Sequence, residues 1–345
     1  MAGRDSTVQD DRAAQNTNLR VGKNLFVGAA SGREPDAGIA CRARIREQSR
    51  SGGIVNLYRR TAPVAGPCDY AAPSSARRPG SDRGCDASRL PLSIGMPVKI
   101  TPWFILHRPQ PAATHRLFCF PYAGAGSLLY RRWALELPDW IEVVAVELPG
   151  RQTRFSEAPP TSLDAMTDAL ATAAHGLLDK PFGTFGYSFG SVVGIEWLRE
   201  LDRRRLRGPI HAFCAAHRAP HVVPRPLAIH RLPEPDLIDW LKTMGGTPDA
   251  LLSEPDWLRH FLRALRADLA LAEGYCTDTP FALRCGLTVF GGLHDPHVDI
   301  DALREWRRYS GGPFSLHRFD GDHFFIHARE RELQDHVVAT LAAHA

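Results

Sequence analysis

Ser188 stands in a Gly186-Tyr187-Ser188-Phe189-Gly190 run, where the apolar segment 181–185 gives way to a stripe of Val192, Ile195 and Leu198, widened by Trp197 and Leu201. This GxSxG pattern predicts a strand that turns sharply into a helix, with the serine strained at the turn and glycines letting neighbouring backbone pass. A serine hydroxyl is a poor nucleophile at its own pKa and needs a base and an orienting acid. In this setting the three follow the order Ser, Asp, His. Asp295 stands at the tip of the loop Gly291-Gly292-Leu293-His294-Asp295, and His323 on the turn Asp320-Gly321-Asp322-His323-Phe324-Phe325. His323 would take the proton of Ser188, while Asp295 would fix its tautomer and stabilise the imidazolium.

An oxyanion needs two preplaced N–H donors. One is expected from the backbone of Phe189, at a helix N-terminus, and the other from the loop after the first strand, around Ala123. The small residues Ala123, Gly124, Ala125 and Gly126 leave room there for a substrate carbonyl. The reaction class is acyl transfer to water. Blander roles suit the other polar residues nearby: Asp299 and Asp301 as caps for the helix that begins there, Asp320 or Asp322 as a turn former before His323. His294, His297, His323 and His327 lack HExxH spacing, so no metal is expected. Gly124 and Gly126 begin a dinucleotide-like loop, but Leu129 occupies the place of the third glycine and no cofactor is expected.

Strand-like runs at 117–120, 141–146, 181–185, 210–214, 287–290 and 314–319 alternate with helix-length intervals, one of them helical over 161–178 and opened by Thr161 or Ser162. Such alternation implies right-handed crossovers and an α/β architecture: a mostly parallel twisted sheet with helices on both faces. Three distant residues can then meet at the carboxyl edge of the sheet, where open sheets bind ligands. The interval from Cys214 to Leu287 is too long for one crossover. It is read as an inserted helical lid, residues 218–276, whose second helix is capped by Ser253, has Pro255 in its first turn, and carries the stripe Leu258, Phe261, Leu262, Leu265 and Leu269.

The chain has 345 residues and a formal charge of +4, but 15 of its 42 Lys and Arg and only 9 of its 38 Asp and Glu precede Met96. The remainder is slightly acidic, which argues against a nucleic-acid partner. Residues 1–95 show neither strand nor helix periodicity and are too poor in apolar residues to offset their ordering entropy. Two readings are open for this extension: a disordered basic tail with a docking role, or sequence ahead of a natural start at Met96. The second is favoured because folded-looking sequence begins almost immediately afterwards, giving a domain over residues 96–345. The seven cysteines show no CxxC spacing and are read as thiols of a reducing cytoplasm. No apolar leader or run of membrane-spanning length occurs.

Taken together, Phe120-Pro121-Tyr122-Ala123-Gly124, Glu147-Leu148-Pro149-Gly150-Arg151, the serine pentapeptide, Arg218-Ala219-Pro220, Gly245-Gly246-Thr247-Pro248, Leu265-Arg266-Ala267-Asp268, the Asp295 loop and Gly321-Asp322-His323-Phe324-Phe325 give the chain from Arg116 onward a specific resemblance. It resembles the type II thioesterases that accompany nonribosomal peptide and polyketide synthases in antibiotic biosynthesis, a branch of the α/β-hydrolases. Tyr187 stands where that family commonly has His, and Ala125 where a second glycine is usual. The resemblance implies an α/β-hydrolase fold and hydrolysis of acyl or aminoacyl groups from the phosphopantetheine arm of a carrier protein, with the lid walling the acyl chamber. A monomer without membrane association is expected. The alternatives are a carboxylesterase or lipase acting on free small esters, with the same triad under a different lid, and a non-catalytic binding module, which would lack a triad member.

Overall fold

The structure, a computed structural model, describes residues 98–224 and 228–344, so the extension at 1–95 lies outside the described residues. Its strands are β1 (Val98–Thr101), β2 (Phe104–Leu106), β3 (His115–Phe120), β4 (Ile141–Val146), β5 (Phe182–Tyr187), β6 (His211–Ala215), β7 (Gly286–Gly292) and β8 (Phe314–Phe319). They form one sheet in the order β1-β2-β4-β3-β5-β6-β7-β8. Only β1 and β2 run antiparallel; every pairing from β4 across to β8 is parallel. This is the mostly parallel α/β sheet expected. The short antiparallel edge was not. Val98, Lys99 and Ile100 are exposed and their alternation is too short to read, and β2 is an apolar triplet behind a turn closed by Trp103 N–H donating to Thr101 Oγ1 at 3.2 Å.

The α-helices are α1 (Arg131–Glu136), α2 (Leu163–Ala173), α3 (Phe189–Arg203), α4 (Glu234–Met244), α5 (Asp249–Leu252), α6 (Pro255–Gly274), α7 (Ile300–Arg304), α8 (Phe325–Ala328) and α9 (Glu330–Ala342). Side chains alternate across each strand, so a sheet buried on both faces needs apolar residues at every position. Phe118 and Phe120 face one layer, with Leu170, Val192 and Trp197 from α2 and α3. Leu117 and Cys119 face the other, with Trp133, Leu333 and Val337 from α1 and α9.

Two expected caps are present, Ser162 Oγ accepting from Ala165 N–H (3.2 Å) and Asp299 Oδ1 from Ala302 N–H (2.8 Å). The cap of α6 is Glu254 and not Ser253. Proline forces the residue before it into an extended conformation, so the boundary falls directly ahead of Pro255. Between β6 and β7, helices α4 to α6 build a small apolar cluster of their own, including Leu237, Leu241, Leu258, Leu262 and Leu265. Phe261 and Leu269 of the same stripe are only partly covered and face a cavity.

Cys119, Cys214 and Cys285 are buried free thiols. Cys276 is disulfide-bonded and departs from the reading of all seven cysteines as thiols. Cys41, Cys68 and Cys85 lie outside the described residues. No helix among the described residues is long and apolar enough to cross a membrane.

Burial on β6 lowers the pKa of His211 from 6.5 to about 4, with a further push from His344. The folded chain therefore keeps this imidazole neutral well below the pH at which the unfolded chain protonates it. Below about pH 6.5 the unfolded state binds more protons, so stability should fall with pH, at up to about 1.4 kcal/mol per unit from this side chain, until the folded state also protonates near pH 4. Urea titrations across that window measure the slope, and His211→Leu should flatten it.

Candidate active site

Strand β5 ends at Tyr187 and α3 begins at Phe189, leaving Ser188 alone on the turn at φ 51°, ψ −115°. Such a dihedral is costly for a residue with a Cβ and persists only where surroundings impose it. Here they do. Ser188 N–H donates to Ala215 O at 2.8 Å, and Ser191 Oγ lies 2.8 Å from Gly186 O and 3.0 Å from Ala215 O. The flanking glycines are required by close approach: a Cβ on Gly190 would lie 2.1 Å from the carbonyl oxygen of Phe120, and one on Gly186 would lie 2.5 Å from the carbonyl oxygen of Gly190.

The structure brings Ser188, His323 and Asp295 together. Ser188 Oγ is 3.0 Å from His323 Nε2, and His323 Nδ1 is 2.8 Å from Asp295 Oδ2. Asp295 reaches that position from the loop after β7 and His323 from the turn after β8. The Asp295 side chain is 1% exposed. Burial alone would raise its pKa; the neighbouring His323 and the backbone N–H of His297 outweigh burial and hold it below the usual carboxylate value. Oδ1 accepts from His297 N–H at 2.8 Å and Val298 N–H at 3.3 Å, which leaves Oδ2 for the imidazole. Asp322 Oδ1 accepts from Phe324 N–H at 2.8 Å and shapes the turn, while Asp320 pairs with Arg329 and His294 at the surface.

Phe189 is the first residue of α3 and Ala123 lies in the loop after β3; neither N–H has a hydrogen-bond partner among the described residues. The Ala123 loop is fixed from outside. Gly124 N–H donates to Asp268 Oδ2 at 2.8 Å, and Ala125 O accepts from Arg151 Nη1 at 3.1 Å.

Above these residues lies a cavity of about 1060 Å³, walled by Ser188 and His323 on the sheet side and by Trp240, Trp257, Phe261 and Leu265 from the insertion. Arg218 fastens both ends of the insertion, donating from Nη1 to Val222 O at 2.7 Å and from Nη2 to Tyr275 O at 2.5 Å. His217 also lines the cavity; burial, aided by the Arg218 charge, lowers its pKa to about 3 and keeps it neutral. Among the described residues no group of three or more His, Cys, Asp or Glu is placed to hold a metal ion.

Two features of the site escaped the sequence reading. Tyr187 Oη donates to His323 O at 2.7 Å and accepts from Ile326 N–H at 3.2 Å, so the residue before Ser188 ties down the His323 turn. The Arg151–Asp268 pair, quoted only as matching motifs, is the other. A buried-looking acidic residue on the apolar side of a helix was the available signal.

The thioesterase domain family model matches residues 115–344. The chain is 36% identical over 245 residues to linear gramicidin dehydrogenase LgrE of Brevibacillus parabrevis, covering 70% of this chain and 93% of that one. It is 32% identical over 237 residues to the gramicidin S biosynthesis protein GrsT of Aneurinibacillus migulanus, covering 68% and 92%. The type II thioesterase BorB from the borrelidin biosynthetic cluster superposes with a TM-score of 0.64 at 29% identity, covering 72% of this chain and 99% of that one.

Gly190→Ala should lose roughly 4 kcal/mol or more, because backbone lies where the new methyl must go. Tyr187→Phe should lose about 1–3 kcal/mol by stranding the buried Ile326 N–H and the His323 carbonyl. Denaturant melts of the two variants measure both.

Proposed function

The chain belongs to the thioesterase domain family, and from that premise we propose that it hydrolyses acyl or aminoacyl thioesters on the phosphopantetheine arm of carrier proteins, regenerating nonribosomal peptide or polyketide synthases. We assign Ser188 as nucleophile, His323 as general base and acid, Asp295 as the orienting carboxylate, and the backbone N–H groups of Ala123 and Phe189 as oxyanion donors. What supports the assignment above all is the hydrogen-bonded series Ser188–His323–Asp295 on the floor of the cavity.

The chemistry follows from that geometry. With Asp295 accepting from Nδ1–H, Nε2 of His323 carries the lone pair that takes the Ser188 proton as Oγ attacks the thioester carbonyl. The carbonyl electrons collect on oxygen, between the two N–H donors. Collapse expels the pantetheine thiolate, which takes up the proton held by His323. A thiol with a pKa of about 8.5 departs with little acid assistance, so removing the hydroxyl proton is the heavier demand on His323. Water, deprotonated by the same imidazole, then attacks the Ser188 ester and releases the free acid. One thioester and one water give one carboxylic acid and one thiol.

The insertion, residues 218–276, acts in this reading as the lid of the acyl chamber within a catalytic domain of residues 96–345. Its tryptophan, phenylalanine and leucine side chains suit an acyl chain better than a charged group. The name of the Brevibacillus relative raises a dehydrogenase, but the dinucleotide fingerprint fails after β3, where Leu129 replaces the third glycine. The proposal extends to a monomer working in the cytoplasm, in keeping with the free thiols of Cys119, Cys214 and Cys285, although the bonded Cys276 weighs the other way.

Acyl groups presented on a carrier protein, on coenzyme A and as nitrophenyl esters separate the readings. Carrier-bound thioesters should have the highest kcat/KM; a strong preference for nitrophenyl esters overturns the proposal in favour of a free-ester hydrolase. Ser188→Ala should abolish turnover with the fold intact, and Asp295→Asn should lower kcat by on the order of 10⁴ by presenting the wrong tautomer.

A further inference from the structure

Asp268 lies in the middle of α6, within the lid, yet its carboxylate is fully buried and bonds to two segments of the sheet edge. Oδ2 accepts from Arg151 Nη1 at 2.5 Å and from Gly124 N–H at 2.8 Å, and Oδ1 accepts from Arg151 Nη2 at 2.9 Å. Arg151, whose side chain is 5% exposed, comes from the loop after β4. Its guanidinium also donates to Ala125 O at 3.1 Å and to Pro149 O at 3.3 Å. The residues on the C-terminal side of Ala123 are therefore held by their N–H and their carbonyl, from one carboxylate and one guanidinium. Phe261, Leu265 and Asp268 share a face of α6 at helical spacing. Phe261 and Leu265 pack on Gly124, which sits at φ +79° with the Phe261 ring 2.8 Å from where a Cβ would be.

We propose that Arg151 and Asp268 are positioning residues that clamp α6 of the lid to the oxyanion loop, so that the Ala123 N–H is aimed at the substrate only while α6 is docked. This rests on the assignment of Ala123 as an oxyanion donor. Stability alone is a poor reason for such a pair, because desolvating two charges offsets most of their attraction and apolar replacements are often as stable. Holding a loop in register is a different demand. The forked guanidinium meets both carboxylate oxygens at once and leaves Gly124 N–H a charged acceptor, which no apolar contact can supply.

Three variants test the clamp: Asp268→Asn, which keeps the shape but loses the charge; Arg151→Lys, which keeps the charge but loses the fork; and the double change Arg151→Met with Asp268→Leu, which replaces the pair by apolar volume. Each is assayed for kcat and KM on an acyl N-acetylcysteamine thioester, for the rate at which a fluorophosphonate labels Ser188, and for its melting temperature. Asp268→Asn and the double variant should each lose about 100-fold in kcat, as expected for a misplaced oxyanion donor, and Arg151→Lys less. KM should stay within about threefold and the pH at half-maximal activity should not move, since binding and His323 are untouched. Fluorophosphonate labelling should slow in parallel because it builds charge on the same donors.

A double variant that folds and turns over at the parental rate overturns the clamp. So does a loss confined to KM, or one that tracks the melting temperature while the labelling rate of the folded fraction is unchanged. If the parental chain hydrolyses no thioester, the proposed function fails, and the labelling comparison still decides the clamp.

Discussion

The site depends on how closely α3 approaches the end of β3. Gly190 lies against the carbonyl of Phe120 at a separation that excludes any Cβ, and Gly186 lies against the carbonyl of Gly190 in the same way. With those contacts made, the residue after β5 has no extended path into the helix and must take the positive φ seen at Ser188. The same contacts bring the segment that follows Phe120, with Ala123 and Gly124, up to Ser188. One steric constraint between two backbones therefore juxtaposes the Ser188 hydroxyl and the loop after β3, while Tyr187, one residue earlier, reaches across to hold the His323 turn.

Electrostatics then sort the polar groups by what they are bonded to. Asp295 and His217 both lie beneath the insertion and are both desolvated, yet they end in opposite states. Burial works against charge in each case; Asp295 has an imidazole and two backbone N–H donors to offset it, whereas His217 has the repelling charge of Arg218 beside it. A charged carboxylate and a neutral imidazole result from the same apolar surroundings. With its pKa lowered to about 3, the neutral imidazole of His217 is only a weak proton acceptor in the cavity that Ser188 also lines.

The meeting of Ser188, Asp295 and His323 and the mostly parallel sheet were legible because their signals are local or serial. GxSxG marks one turn, and Asp295 and His323 each follow an apolar run in the required chain order. Helices α3 and α6 declared themselves by period, and α2 by its opening Thr161 or Ser162. The edge strands β1 and β2 did not, since three or four residues half in solvent carry no usable alternation. Ser253 looked like a cap by residue type, but the proline two residues on set the boundary one place later at Glu254. Tyr187 and the Arg151–Asp268 pair were invisible as functional groups for a common reason. Their meaning lies in partners far along the chain, 136 residues away for Tyr187 and 117 for Arg151, and although Asp268 stands out on the apolar side of its helix, nothing in the local pattern names those partners.

The buried Arg151–Asp268 pair constrains how the insertion can move. Arg218 fixes both ends of the insertion, binding Val222 O where it leaves the sheet and Tyr275 O where it returns, and Asp268 fixes α6 two turns before that return. Lifting the C-terminal half of α6 would strand a buried carboxylate and a buried guanidinium together, which is far more costly than parting apolar side chains. Among the described residues no buried ion pair joins α4 or α5 to the sheet; just ahead of α4, His230 lies 2.5 Å from Glu273 Oε2 through Nδ1 and accepts from Arg266 Nη1 at 2.7 Å through its carbonyl. The contacts of α4 and α5 with α6 are the leucines of a small cluster, Leu237, Leu241 and Leu252 against Leu258 and Leu262, and such contacts can slide or part without leaving a charge unpaired. The α4–α5 side of the cavity can therefore shift while Asp268 and Arg151 keep the Gly124–Ala125 segment in place.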